Sequence, residues 1–200
     1  ISIFAMLFLP YFNPMQSAVS IASLLSCITP TYNTLKYRKE IPYKTVFPLL
    51  LSALVVITIA VYFSTKIASH VFTVLLGVVL ILLSIYFLAF DAKIRFTATP
   101  WKGVVAGAIG GALGGLFSTG GPPAVLYMTH AENDNLKYFV GIQFHFCITS
   151  IYSVIMRAIN RLITLQTLTY IAVAVVGCFA GDFVGKLVFN KLDGKKLKKV

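Results

Sequence analysis

Charged residues are scarce in this chain. They account for 12% of its 200 residues, whereas hydrophobic residues account for 58%. An ordinary soluble domain carries about 25% charged residues. The low charge content excludes such a domain and, with several long apolar stretches, predicts an integral membrane protein.

Residues that commonly hold metals or perform catalysis are also few. The chain has six Asp and Glu residues in total, and Cys27, Cys147 and Cys178 are isolated within apolar segments, which favours small core residues over a metal or redox role. No nucleotide-binding loop, metal-ligand cluster or nucleophile triad occurs in the sequence. An intramembrane aspartyl protease would need two embedded Asp residues, and Asp182 alone is partly inside. We therefore predict that the protein is not an enzyme and needs no cofactor.

The net charge of +11 arises from basic residues at the ends of apolar stretches. This distribution indicates membrane topology rather than a nucleic-acid partner. Counting apolar stretches places nine basic residues of three loops on one side, which the positive-inside rule makes cytoplasmic. These nine are Lys36, Arg38, Lys39, Lys44, Lys93, Arg95, Lys102, Arg157 and Arg161. The last two could also attract anions at the cytoplasmic mouth, although anchoring explains them more simply.

Six apolar stretches approach the roughly 20 residues of a membrane-spanning helix. They are Ser17–Leu35, Val46–Ser64, Val71–Phe90, Gly103–Phe117, Tyr138–Met156 and Leu165–Phe189. The first is rich in small and hydroxylated residues, which favours close helix packing and could also serve substrate contact.

The order of these elements repeats with an offset of 122 residues, which superposes Asn13–Ala18 on Asn135–Val140 and Val46–Ser64 on Leu168–Lys186. We predict an all-α polytopic transmembrane helical bundle of two repeats of about four helices, with a glycine-broken helix in each. The repeats are 1–90 and 103–200, and 91–102 is a basic cytoplasmic linker. We expect the first break to precede residue 1 and the last helix to follow Val200.

The stretch Gly103–Pro123 is the most informative part of the chain. Glycines at 103, 107, 111 and 115 leave one helical face bare, so another helix can approach at backbone distance. The helix must then end at the Ser-Thr-Gly-Gly-Pro-Pro sequence of 118–123, and apolar residues resume at once. Because broken helices at membrane depth are tolerated where the backbone is buried in protein or lines a cavity, this break is the predicted substrate site.

A helix that begins near Pro122 would aim its positive end at the break and suit a small anion. The anion would be bound by backbone N–H groups and hydroxyls of Ser118, Thr119, Gly120, Gly121, Ala124 and Val125, next to Pro122 and Pro123. The alternative is a plain kink filled by neighbouring side chains.

Three polar residues in later apolar stretches could also serve transport. Gln143 could donate its amide N–H to an anion, and His145 could bind an anion or exchange a proton, although a neighbouring helix could satisfy either one. Asp182 could bind a coupling ion, but an ion pair with Lys186 one turn later is the simpler reading.

The segment Gly110–Tyr127, GGALGGLFSTGGPPAVLY, followed by a helix that contains Gln, resembles the TauE/SafE sulfite exporter family. Asn13–Ala18 resembles the first-repeat segment after the break of that family, and Gly177–Gly185 resembles its small-residue last helix. The resemblance implies a cell-membrane permease of about eight helices that moves small sulfur-containing anions such as sulfite or organosulfonates. The expected partners are the lipid bilayer and the anion. Two alternatives stay open: a passive anion channel, and a non-transporting scaffold whose glycine faces serve helix packing or a homo-oligomer.

Overall fold

The computed structural model describes residues 15–90 and 97–163, together with 167, 170 and 171. Within this part of the chain the fold is all-α, as predicted. The elements are α1 (Met15–Lys36), a short 3-10 turn (Arg38–Glu40), α2 (Tyr43–Ser64), α3 (Ser69–Phe90), α4 (Pro100–Phe117), α5 (Gly121–Ala131) and α6 (Asn135–Ile159).

Two of the described helices, α2 and α6, are long and apolar enough to cross a membrane by length and composition, and α3 contains a shorter apolar stretch, His70–Ile85. The helices α1 to α4 and α6 coincide, to within a few residues at each end, with five of the six predicted stretches. The sixth stretch, 165–189, lies almost entirely outside the described residues, as do Asp182, Lys186 and Cys178.

The bare glycine face of α4 packs against α2. A Cβ on Gly111 would lie 2.6 Å from the carbonyl oxygen of Ala53, and a Cβ on Gly115 would lie 2.7 Å from the Cβ of Ala60. One on Gly107 would collide with the carbonyl of Leu49. The predicted approach of a second helix at backbone distance is confirmed, and that helix is α2.

The chain reverses direction after α4, so that α4 and α5 form an antiparallel helical hairpin. A Cβ on Gly110 would lie 3.0 Å from the carbonyl oxygen of Gly120, and one on Gly103 would lie 2.9 Å from the Tyr127 ring. Gly103 precedes Gly110 in α4 by as many residues as Tyr127 follows Gly120, so the two helices run in opposite directions side by side. The turn is made at Ser118, whose φ of 58° is left-handed. The sequence predicted an interrupted helix, and the structure corrects this to a hairpin whose second arm returns toward the start of α4.

Contacts between distant segments identify two ends of the bundle. At one end, here called the linker end, the Thr45 hydroxyl donates to the Glu132 carboxylate, which brings the start of α2 beside the turn after α5. At the opposite end, the Gln16 amide donates to the Ser64 carbonyl and the Ser20 hydroxyl donates to the Leu162 carbonyl at 3.4 Å.

These two ends correct the predicted distribution of basic loops. Arg161 lies at the opposite end, next to Leu162, whereas Arg38 and Lys39 lie at the linker end between α1 and α2. The prediction that all three basic loops share one side is therefore wrong. The reason is the hairpin: α4 and α5 pass in opposite directions, so that α6 starts at the linker end rather than away from it.

The helices α1 and α6 agree with the proposed repeat. The offset of 122 residues carries Met15–Lys36 onto 137–158, close to the bounds of α6. The two helices pack in opposite directions, since Ser20 lies near Leu162 and Thr31 contacts the Cys147 sulfur at 3.4 Å. Antiparallel equivalent helices are what an inverted repeat requires. The division into repeats of 1–90 and 103–200 stays a prediction, because most of the second repeat after α6 lies outside the described residues.

The turn between α5 and α6 is short, because α5 continues to Ala131 and α6 begins at Asn135. Asp134 provides the N-terminal cap of α6: its carboxylate accepts the backbone N–H groups of Leu136 and Lys137 at 2.8 and 3.0 Å. The pKa of the Asp134 carboxyl lies below its usual value, mainly because of the bond from the Lys137 N–H and then because of that from the Leu136 N–H. The cap fixes the point at which α6 starts.

Candidate functional site

A cavity of about 540 Å³ lies against the break between α4 and α5. It extends from Thr129, which is exposed near the linker end, to Thr119 and Ser153, which are buried near the middle of the bundle. Its wall is formed by α1, α2, α4, α5 and α6 together with the turn at 118–120. The cavity wall is therefore exposed at the linker end and buried at the break, and the buried part is here called its closed end.

Eight of the ten predicted site residues line this cavity. They are Ser118, Thr119, Gly120, Gly121, Pro122, Val125, Gln143 and His145. The other two do not. Ala124 is fully buried in an apolar cluster with Val46 and Leu49 of α2, and Pro123 faces an outer groove beside Trp101. A helical turn of 3.6 residues points these two positions away from the face that carries Gly121 and Val125.

The backbone donors at the break are fewer than predicted. Pro122 and Pro123 have no N–H, and α5 begins at Gly121. The Ala124 and Val125 amides lie four residues after Gly120 and Gly121, where the hydrogen-bond ladder of the helix uses them. The first-turn N–H groups that precede this ladder belong to Gly120 and Gly121.

Four buried polar atoms of the cavity wall have no hydrogen-bond partner among the described residues. They are Thr119 Oγ1, Gln143 Oε1, His145 Nδ1 and Ser153 Oγ. Buried polar atoms in folded proteins are nearly always hydrogen-bonded, and leaving one unsatisfied costs about 1–3 kcal/mol. Their convergence on one cavity indicates that the cavity accepts a polar occupant.

Other hydroxyl groups of the wall come from α1 and α6. Ser23, Ser26 and Thr149 line the cavity, and each donates to the carbonyl of the residue four positions earlier in its own helix. The sequence had suggested packing as the main role of the α1 hydroxyl residues. Ser153 and His130 also line the cavity and were not singled out from the sequence, although Ser153 lies one helical turn beyond Thr149.

Among the described residues, none of those that line the cavity is Asp, Glu, Lys or Arg. The positive N-terminal end of α5 adds a dipole that favours an anion at the break. In the described part of the chain, no group of three or more His, Cys, Asp or Glu residues is arranged to hold a metal ion.

Arg157 lies just beyond the cavity rather than in a solvated turn. It is fully buried, because α6 continues to Ile159 and turns this side chain inward. Its Nη2 donates to the carbonyl oxygen of Gly115 in the last turn of α4. The prediction that Arg157 anchors a cytoplasmic loop is wrong, since the guanidinium is packed between α6 and the end of α4.

A family model described as "Sulfite exporter TauE/SafE" matches residues 1–200. No curated protein and no solved structure gives a significant match to the chain. The matched residues include the whole of the glycine hairpin and both ends of the cavity.

Proposed function

We propose a substrate and a binding site for this chain, which belongs to the TauE/SafE sulfite exporter family and is an integral membrane protein of that transporter family. The substrate is a small sulfur-containing anion of the sulfite or organosulfonate class. It binds in the cavity beside the break, between the ends of α4 and α5.

The observation that carries this proposal is the set of unsatisfied polar groups around the break. The Gly120 and Gly121 amides precede the hydrogen-bond ladder of α5, and the Thr119 and Ser153 hydroxyls have no partner among the described residues. An anion that leaves water needs replacement donors, because burial without hydrogen bonds costs several kcal/mol. The N-terminus of α5 supplies both donors and a favourable dipole.

The rest of the cavity wall suits an oxyanion with a small apolar substituent. Within the described part of the chain, no lining residue carries a carboxylate that would repel the anion, and apolar residues such as Phe146, Leu126 and Ile57 also line the cavity. The volume of about 540 Å³ falls within the roughly 300–1,000 Å³ usual for small-molecule sites. Sulfite would fit with water molecules, and an organosulfonate would place its carbon chain against the apolar wall.

Transport requires the anion to leave at the end opposite to the linker end. That end is held by the bonds from Gln16 to Ser64 and from Ser20 to Leu162. Alternating access would break these contacts and close the cavity near Thr129. The glycine face of α4 permits such a change, because small residues allow helices to slide at short distance.

Thr119→Val tests the site with little change in shape. Radiolabelled sulfite, sulfate and taurine fluxes are measured in proteoliposomes. We expect saturable flux of a sulfur-containing anion, and a KM about tenfold higher in Thr119→Val, since a hydrogen bond to a charged group contributes about 1.5–3 kcal/mol. The matched control is Thr34→Val, which also removes a buried hydroxyl without a partner among the described residues, but away from the cavity.

Three results would contradict the proposal. Absence of flux for all three anions in the folded wild-type protein would remove the sulfur-anion assignment. The same KM of anion flux in Thr119→Val and Thr34→Val would show that the anion does not bind at the break. Flux that rises linearly with anion concentration would favour a passive channel.

A further inference from the structure

A buried arginine that the proposed site does not use lies next to the closed end of the cavity. Arg157 is 0% exposed and follows Ser153, which lines the cavity, by one turn of α6. A charged side chain within a membrane protein is costly, and such residues usually face the bundle interior and take part in function. A guanidinium also keeps its charge at physiological pH.

Among the described residues, the Arg157 side chain donates its hydrogen bond to the end of α4. Its Nη2 donates to the Gly115 carbonyl, one of the last four of that helix, which have no partner within the helix. The negative end of the α4 dipole meets the positive end of α5 at the break. Arg157 therefore covers the terminal carbonyl that would otherwise repel an anion at this point.

The other two nitrogens of the Arg157 guanidinium form no hydrogen bond with the described residues. Nε and Nη1 of Arg157 are buried and have no hydrogen-bond partner among the described residues. The same holds for the hydroxyls of Thr119 and Ser153. Ser153 precedes Arg157 by four residues, or one turn of α6, and Thr119 lies in the turn that follows the end of α4, the helix to which the guanidinium is bonded. Ser153 of the cavity wall and Arg157 thus lie one turn apart on α6, and each has a buried polar group without a hydrogen-bond partner among the described residues.

We propose that Arg157 is the charged ligand of the anion at the closed end of the cavity. Its Nη2 bonds to the end of α4, and its Nε and Nη1 donate to an oxyanion together with the Thr119 and Ser153 hydroxyls. This inference rests on the proposed function and adds the residue that selects the ligand. The planar fork of a guanidinium matches two oxygens of one anion. The site therefore favours oxyanions over chloride.

The test compares Arg157→Lys and Arg157→Gln with wild type and with Arg161→Gln. The control removes an exposed positive charge at the same end of the bundle. Two quantities are measured for each protein: the KM and kcat of sulfite flux in proteoliposomes, and the rise in unfolding temperature of the purified protein with sulfite, phosphate or chloride.

We expect Arg157→Lys to raise the KM for sulfite about tenfold with a smaller change in kcat, because an ammonium keeps the charge and loses the fork. Arg157→Gln should lose the stabilisation by sulfite and the preference for sulfite over chloride. Arg161→Gln should behave as wild type. If Arg157→Gln does not fold, the KM and the sulfite-induced stabilisation of Arg157→Lys decide the question.

A purely structural role gives a different pattern. Both substitutions would then lower the unfolding temperature without ligand, while the KM and the sulfite-induced rise stayed at wild-type values, and this result overturns the inference. Failure of the proposed function is separate: wild type would neither transport nor be stabilised by a sulfur-containing anion. Stabilisation by phosphate that is lost in Arg157→Gln would still support Arg157 as an oxyanion ligand, and no stabilisation by any oxyanion would overturn it.

Discussion

Ser118 has a left-handed backbone conformation, with φ of 58°, where the chain turns from α4 to α5. This region costs a residue with a Cβ roughly 1–2 kcal/mol, whereas glycine enters it freely. The next turn residues, Gly120 and Gly121, have negative φ, so the left-handed position is filled by serine and not by a neighbouring glycine. Ser118 is a residue of the cavity wall, and we expect its hydroxyl to contact the anion.

Comparison of Ser118→Gly with Ser118→Ala separates these two effects. Both variants lose the hydroxyl, so we expect the same increase in the KM of sulfite flux. Ser118→Gly should be as stable as wild type or more stable, because glycine removes the left-handed strain. We expect its free energy of unfolding to rise by up to about 1 kcal/mol, which is measured as a higher unfolding temperature. Ser118→Ala should gain nothing. Unchanged flux in both variants would show that the hydroxyl does not bind the anion.

At the scale of the element, α4 uses two glycine faces for two different contacts. Gly107, Gly111 and Gly115 meet α2, whereas Gly110 and Gly114 meet Gly120 at the end of the hairpin turn. The atoms that meet these glycines are backbone atoms and the small side chains of Ser52 and Ala60, so helix packing here depends on close fit. A substitution on either face therefore displaces a whole helix rather than one side chain.

Gly111→Ala should destabilise the bundle, and Gly77→Ala should not. A Cβ on Gly111 would lie 2.6 Å from a backbone oxygen of Ala53, while a Cβ on Gly77 of α3 meets nothing within 4 Å. Overpacking costs about 1–3 kcal/mol, and alanine in an open helical position gains up to about 1 kcal/mol over glycine. Unfolding temperature and the monodisperse fraction in detergent measure both effects. A Gly111→Ala protein as stable as wild type would refute the close contact between α2 and α4.

At the scale of the whole molecule, the hairpin determines the end of the bundle at which each described basic residue lies. Most basic residues of the described loops and helix ends lie at the linker end: Lys36, Arg38, Lys39, Lys44, Lys102 and Lys137, against Lys66, Arg157 and Arg161 at the opposite end. The positive-inside rule then places the linker end in the cytoplasm. The cavity, which is accessible near Thr129, would face the cytoplasm, where an exporter takes up its substrate.

Single-cysteine labelling in intact cells tests this orientation. In a variant whose own cysteines are replaced, we expect Arg161→Cys to react with a membrane-impermeant maleimide from outside, and Lys39→Cys and Lys137→Cys to be protected. All three positions are exposed to solvent or lipid. A continuous span in place of the hairpin would put Arg161 with Lys39 and leave Lys137 on the other side. That pattern of labelling would refute the hairpin.

The sequence alone determined the class of the protein and the position of the break. Apolar composition and segment length are local properties, so they predicted an all-α membrane protein and most helix bounds, and the chemistry of glycine and proline located the break at 118–123. The glycine face of α4 could be read in the same way. These features depend on residues that are neighbours in the chain.

Only the tertiary structure decided the direction of α5 and the surroundings of Arg157. Glycine and proline stop a helix but do not fix where the next one goes, and the reversal depends on the contacts of Gly120 with Gly110 and of Tyr127 with Gly103. An arginine near the end of an apolar stretch can reach solvent or turn inward, and here the terminal carbonyl of α4 holds it inside. Such contacts join residues far apart in the chain, which is why the local pattern could not predict them.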